Sequence, residues 1–171
     1  LALQGRAWEQ AMEPLLDDTA AVVDLPYFGV ANVTVAGIPS LVARTGYTGE
    51  PGVEIMCPAE GVVDVWDALM EGPEAPLPCG LAARDTLRME MGYPLYGQEL
   101  GLDRTPIEAG LKWACDLDGE FRGAGAMRRQ VERGTAERSC VFTLDEPGIP
   151  RSGCDVWAGG ERVGGVTSGT L

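Results

Sequence analysis

The sequence predicts a mixed helix-and-strand globular protein, on three observations. Residues 26–57 hold three β-type runs joined by short turns: PYFGVANVTV, SLVARTGYTG and GVEIMC. Residues 6–16, 60–70 and 81–91 carry apolar side chains at helical spacing. The 171 residues are 45% hydrophobic and 23% charged, a composition that can bury one good core or two small ones.

The chain opens on a short strand, 1–4, which Gly5 breaks. A helix over 6–16 follows, with Trp8, Met12, Leu15 and Leu16 as its apolar stripe and Asp17 and Asp18 as its stop. After the three strands, residues 60–70 form an amphipathic helix carrying Val62, Val63, Val65, Trp66 and Leu69. The Pro-rich loop EGPEAPLP, 71–78, then delivers the chain to the stretch around which the rest is organised, PCGLAARDTLRMEMGYPLYGQE (78–99). Its Pro-Cys-Gly breaker starts a helix over 81–91, and Gly92 followed by Pro94 ends it. Ala83, Leu87 and Met91 share one stripe, expected to face a core. Arg84 and Arg88 sit one turn apart, beside Leu81 and Asp85. Two guanidinium groups at that spacing repel by about 0.2–0.5 kcal/mol on an isolated helix. Either carboxylates or an anionic ligand answer them (Asp85, a distant Glu), or the edge is simply solvated.

Beyond Gln98, ELGLDRTPIEAG reads as loop and a short turn, 111–117 as a strand and 123–134 as a charged helix. Residues 138–146 read as β again, and CDVWAGGERVGGVTSG as a hairpin turning at AGGE. A coarse division is 1–97, 98–134 and 135–171, the last too short to be a domain alone.

Composition removes several function classes. The net charge is −13, with 26 acidic against 13 basic residues and Lys112 the single lysine, so the surface repels phosphate backbones and nucleic-acid binding is not expected. There is no histidine, and the five cysteines (Cys57, Cys79, Cys115, Cys140, Cys154) show no CxxC, so no metal site is expected. Without histidine the usual base for a Ser or Cys nucleophile is missing, which excludes hydrolase triads. Reduced thiols in a cytoplasmic protein are the default. No apolar run reaches the roughly 18 residues of a membrane span, so no membrane partner is expected. No G-x-G-x-x-G follows a strand and no G-x-x-x-x-G-K-[ST] occurs, which leaves dinucleotide and P-loop readings without support. The opening LALQG carries no Met and reads as mid-strand, a first sign of a fragment.

The most informative motif is RTGYTGEPGVEI, 44–55. Gly46, Gly49 and Gly52 around Tyr47 and Thr48 make a tight loop between two strands. Alternation puts Val53 and Ile55 on one face and Glu54 on the other. If that face is solvent, Glu54 is ordinary. If it is a pocket wall, the carboxylate can accept two parallel N–H bonds from an amidine-like heterocycle edge. It could equally pair with Arg84. The aromatics Tyr47, Tyr93, Tyr96 and Trp113 lie near these segments; core packing is their commonest use, and stacking on a flat ligand the alternative. Gln98 and Glu99 are loop-borne polar groups, either solvated or hydrogen-bonding.

RTGYTGEPGVEI, PCGLAARDTLRMEMGYPLYGQEL, TPIEAGLKW and PRSGCDVWAGGERVGGVTSGT occur here in the same order as in aminomethyltransferases, the T proteins of the glycine cleavage system. LALQG resembles a strand-and-helix segment of that family as well, so the resemblance spans essentially the whole chain. Folate-accepting domains of dimethylglycine and sarcosine dehydrogenases, and related demethylases, share parts of it. Folate-binding iron–sulfur assembly factors are less similar, because their hallmark cysteine loop is replaced here by PLYGQE.

The resemblance implies an α+β fold of antiparallel sheets with packed helices, followed by the start of a C-terminal β-barrel. It makes 1–97 the later part of a first folate-binding domain, 98–134 the end of a second, and 135–171 the start of the barrel. It implies tetrahydrofolate as co-substrate and the lipoylated H protein as partner. Matched motif to motif, Glu54 would read the pterin N–H edge and Arg84 would be a second folate contact. Tyr47, Tyr93 and Trp113 would line the pocket. The family's aspartate near the folate N5 has no counterpart in these residues, so a fragment inactive by itself is expected. The alternatives are a folate-binding domain of a larger amine dehydrogenase and a non-catalytic folate-binding module.

Overall fold

Four strands, β1 (Ala2–Gln4), β2 (Val30–Val35), β3 (Ile38–Ala43) and β4 (Gly52–Met56), form one antiparallel sheet in the order β1-β4-β3-β2. The computed structural model describes residues 1–170. Two compact units make up the chain, Leu1–Leu87 and Arg88–Leu171.

In the first unit, strand alternation decides which side chains are buried. Register pairs Leu3 with Val53 and Val42 with Ile55, so these four share one face of the sheet. Val33 and Val35 extend that face on β2. Helices α1 (Trp8–Met12), α2 (Ala20–Val23) and α3 (Val62–Glu71) contribute Trp8, Ala11, Met12, Val22, Val65 and Leu69 to the same core. The expected helix over 6–16 is shorter: Pro14 supplies no N–H to an α-helical ladder, and the chain tightens into a 3-10 turn at Glu13–Leu15. Helix α2 was not expected. Four residues are too few to show a helical period, and Asp18 starts it by accepting the Ala21 N–H at 3.1 Å. On α3 the expected apolar face divides, because Val65 and Leu69 face the core whereas Val63 and Trp66 lie on the outer side.

Helix α4 (Leu81–Glu90) matches expectation in extent and in its stop. Gly92, at φ +69°, donates to the Met89 carbonyl at 2.9 Å, and Tyr93 donates to the Arg88 carbonyl at 2.8 Å. This pair of bonds closes the helix end with a left-handed residue, which glycine adopts without strain. The expected buried stripe differs. Met91 is exposed, Ala83 and Leu87 are half-buried, and the one buried residue of α4 is Arg88. The buried side chain is a paired guanidinium, outside the apolar stripe that the spacing picked out.

The second unit is held more by polar contacts than by a large core. Its buried apolar residues are Ala109, Ala124, Met127 and Val166. Thr105 and Glu108 bond reciprocally: the Glu108 carboxylate accepts the Thr105 N–H at 2.8 Å, and the Thr105 hydroxyl accepts the Glu108 N–H at 3.3 Å. This T-x-x-E box sets the turn that leads to Gly110. Those bonds from Thr105, with smaller contributions from Gln130 and Arg104, hold the Glu108 carboxyl below its usual range despite some burial.

The expected strand 111–117 is instead loop around a 3-10 turn at Lys112–Ala114, and residues 138–146 form no strand. Both segments have apolar alternation, but their backbone polar groups find other partners. The Leu117 carbonyl accepts from Arg128 of α5 (Ala124–Arg133) at 2.7 Å, and the Ser139 N–H donates to the Glu108 carbonyl at 2.7 Å. The hairpin at AGGE forms as expected, pairing β5 (Asp155–Ala158) with β6 (Glu161–Gly165). Among the described residues no helix is long and apolar enough to cross a membrane.

Candidate functional site

Glu54 stands mid-way along β4, with Val53 and Ile55 fully in the core on either side of it. Its side chain is therefore on the opposite face, as the alternation requires. Its cross-strand partners there are Ala2 and Ala43, whose methyl groups leave room around a carboxylate. Ala43 is 5% exposed, whereas Ala2 is exposed and so are Val30 and Met56 on the same face, so the face is closed beside Glu54 on the β3 side and open on the β1 side. Glu54 is half-buried, and its Oε2 accepts the Thr45 hydroxyl at 2.6 Å. Among the described residues no donor reaches Oε1, and Oε2 keeps a second lone pair.

The loop between β3 and β4 carries the neighbouring groups. Tyr47 lies under the Arg84 guanidinium, whose Cζ is 5.1 Å from the ring centroid, a cation–π distance. Arg84 thus stacks on Tyr47 and does not form the considered ion pair with Glu54. Thr45 joins the two halves of this arrangement, bonded to Glu54 on one side and two residues from Tyr47 on the other.

Residues that sequence reasoning did not single out hold this loop in place. The Gln4 amide donates to the Thr45 carbonyl at 3.2 Å and the Val53 carbonyl at 3.0 Å, and accepts the Thr48 hydroxyl at 3.3 Å. Arg44 donates to the Gly52 carbonyl at 2.6 Å while its guanidinium lies 4.4 Å over the Trp8 ring. The available signal was the glycine spacing. A Cβ on Gly52 would run into the Leu3 carbonyl and the Gln4 backbone, so that position needs glycine for the close approach of β1, and a Cβ on Gly46 would stand 2.8 Å from the Gln4 Cδ and displace its amide.

Tyr93 and Trp113 belong to the second unit. Tyr93 is half-buried at the α4 cap, where its carbonyl accepts from Arg88 Nη1 at 3.2 Å. Trp113 sits on the 3-10 turn at Lys112–Ala114, 73% exposed. Glu99 is not a solvated loop residue: its carboxylate meets Arg88 Nη1 at 2.9 Å and accepts the Leu95 N–H at 2.9 Å. Arg88 Nη2 also donates to the Ser168 hydroxyl at 2.9 Å. Burial alone would raise the Glu99 carboxyl. Hydrogen bonds from Ser168, Thr167 and Leu95 and the Arg88 charge outweigh it and hold the group below its usual range. A cavity of about 270 Å³ in this unit is lined by Tyr96, Gln98, Asp103 and Arg104 among others, and by none of Glu54, Arg84, Tyr47, Tyr93 and Trp113.

The family model described as the GCVT N-terminal domain matches residues 1–119. The chain belongs to that family. Within it, the aminomethyltransferase of Geobacillus sp. (strain WCH70) is 45% identical over 174 residues, covering 99% of this chain and 48% of that protein. The aminomethyltransferase of Caldanaerobacter subterraneus subsp. tengcongensis is 44% identical over 172 residues, covering 99% and 46%. Among solved structures, the glycine cleavage system aminomethyltransferase T from Bartonella henselae superposes with a TM-score of 0.71 at 33% identity, over 77% of this chain and 38% of that one. The chain thus spans about half the length of the curated GCVT relatives it matches. The mixed fold of antiparallel sheet and packed helices agrees with that neighbour.

Proposed function

We propose that this GCVT chain is the tetrahydrofolate-binding part of an aminomethyltransferase of the glycine cleavage system. The reaction moves the aminomethyl carbon from the lipoyl arm of the H protein to tetrahydrofolate. It releases ammonia, leaves a dihydrolipoyl arm and forms 5,10-methylenetetrahydrofolate in the cytoplasm. Positioning the folate nitrogen against the aminomethyl carbon is the protein's main contribution and supplies several kcal/mol. The family's division of the chain goes with this proposal: 1–97 and 98–134 as parts of two folate-binding domains and 135–171 as the start of a barrel. So does the inactivity of these residues by themselves.

The observation that carries the proposal is the half-buried Glu54 carboxylate, held by Thr45 on a partly open sheet face with acceptor capacity to spare. Such a carboxylate suits the two adjacent N–H donors of a pterin edge. Arg84, stacked on Tyr47, offers a planar cation on the same unit for a second folate contact.

Glu54→Ala in the full-length protein is expected to weaken tetrahydrofolate binding by about 1–3 kcal/mol, the worth of a charge-assisted hydrogen bond. Anaerobic isothermal titration measures it, and an unchanged Kd removes the pterin role. Arg84→Lys is expected to raise the Kd as well, because an ammonium reproduces neither the planar donor fork nor the stacking on Tyr47. An Arg84→Lys protein with wild-type affinity would restrict Arg84 to a structural role.

A further inference from the structure

We infer that Gln4 is a positioning residue for this site, acting through the 44–52 loop rather than by touching the ligand; the inference rests on the folate proposal. Three observations carry it. The Gln4 carboxamide uses both of its ends on the loop and on β4: its donors go to the Thr45 and Val53 carbonyls, and its oxygen takes the Thr48 hydroxyl. Thr45 and Val53 are the residue that bonds Glu54 and the residue that precedes it. Gly46 leaves no space for a Cβ between its own backbone and the Gln4 amide, so the loop closes directly on that side chain. Gln4 lies on β1 opposite Gly52, in the same sheet, and that register fixes its amide.

Gln4 therefore determines where the Thr45 hydroxyl stands, and with it which rotamer Glu54 adopts. Only a carboxamide does this. A carboxylate lacks the N–H donors that two carbonyls require, and an apolar chain of equal length lacks both donors and acceptor.

The test compares Gln4→Met, Glu54→Gln and their double variant in the full-length protein, with Gln4→Ala as a second truncation if Gln4→Met folds poorly. Hydrogen exchange first reads the loop without ligand. Faster exchange at Thr48–Glu50 with β2 and β3 unchanged is expected, and unchanged loop exchange overturns the inference. Anaerobic titration with tetrahydrofolate then reads the coupling. Gln4→Met is expected to raise the Kd by about tenfold, as for the loss of one or two hydrogen bonds. The double variant is expected to bind about as weakly as Glu54→Gln alone, because Gln4 acts through Glu54. Losses that multiply in the double variant, or a wild-type Kd for Gln4→Met beside a weakened Glu54→Gln, overturn the positioning role while leaving the folate proposal standing. A wild-type Kd for Glu54→Gln overturns the folate proposal, and the inference with it.

Discussion

Replacing Arg88 with methionine is expected to destabilise the second unit by about 3–5 kcal/mol, the typical cost of leaving a buried charge without its partner. The Arg88 side chain is 3% exposed and that of Glu99 11%, so water cannot take the place of the missing partner. Loss would extend beyond one ion pair, because Arg88 also bonds the Tyr93 carbonyl and the Ser168 hydroxyl. Glu99→Leu should cost a similar amount, by orphaning the guanidinium. The double variant Arg88→Met/Glu99→Leu should cost much less than the sum, since an apolar pair carries no desolvation penalty. Urea unfolding of the four proteins measures the cycle, and additive losses would show that the pair is not coupled.

The same pair gives a pH dependence whose sign follows from its direction. Glu99 titrates below its ordinary value of 4.5 in the folded protein, so the unfolded state binds its proton more readily. The stability it contributes is fully present above that ordinary value and is lost as pH falls through the lowered folded value. Wild-type unit 2 should therefore lose stability in acid more steeply than Arg88→Met/Glu99→Leu. Parallel acid unfolding curves for the two proteins would remove Glu99 from the account.

How much of this was legible in the sequence differs between the two units, for a physical reason. In the first, every strand has a partner within the unit, so alternation alone placed Val53 and Ile55 inward and Glu54 outward. In the second, LKWACDL and RSCVFTLDE alternate as strands do, but a strand exists only where a neighbour offers a ladder, and periodicity does not report neighbours. Arg88 shows the same limit from the side of charge. Hydropathy ranks arginine as exposed, and only the position of Glu99, beyond the α4 cap, makes its burial tolerable. That an acid could answer the two neighbouring arginines was readable, with an anionic ligand or a solvated edge as the alternatives; which arginine would be buried was not. For the site, the Glu54 motif was legible, whereas Gln4 looked like the end of an ordinary strand. Its place in the loop shows only in three dimensions, where its amide bonds Thr45, Val53 and Thr48 and the Gly46 backbone closes on it.

Ile55→Ala is expected to destabilise the first unit by about 2–5 kcal/mol, the range for truncating a fully buried aliphatic side chain. Ile55 is 1% exposed and packs in the core that the sheet shares with α1, α2 and α3. β4 is paired on both sides, by β1 and β3, so the strand cannot move to fill the cavity. Glu54→Ala, one residue earlier, is expected to leave stability nearly unchanged, because its side chain is only half-buried and its bond is to a single hydroxyl. The proposed tetrahydrofolate affinity should respond in the opposite order once both proteins are folded: Glu54→Ala weakened, Ile55→Ala near wild type. Urea unfolding followed by titration at a temperature where both are native separates the two effects. One strand would then serve the core with its odd-numbered residues and the ligand with the even-numbered residue between them. If Glu54→Ala instead lost as much stability as Ile55→Ala with no change in affinity, Glu54 would be a structural residue, and its face of the sheet would be packing rather than a binding wall.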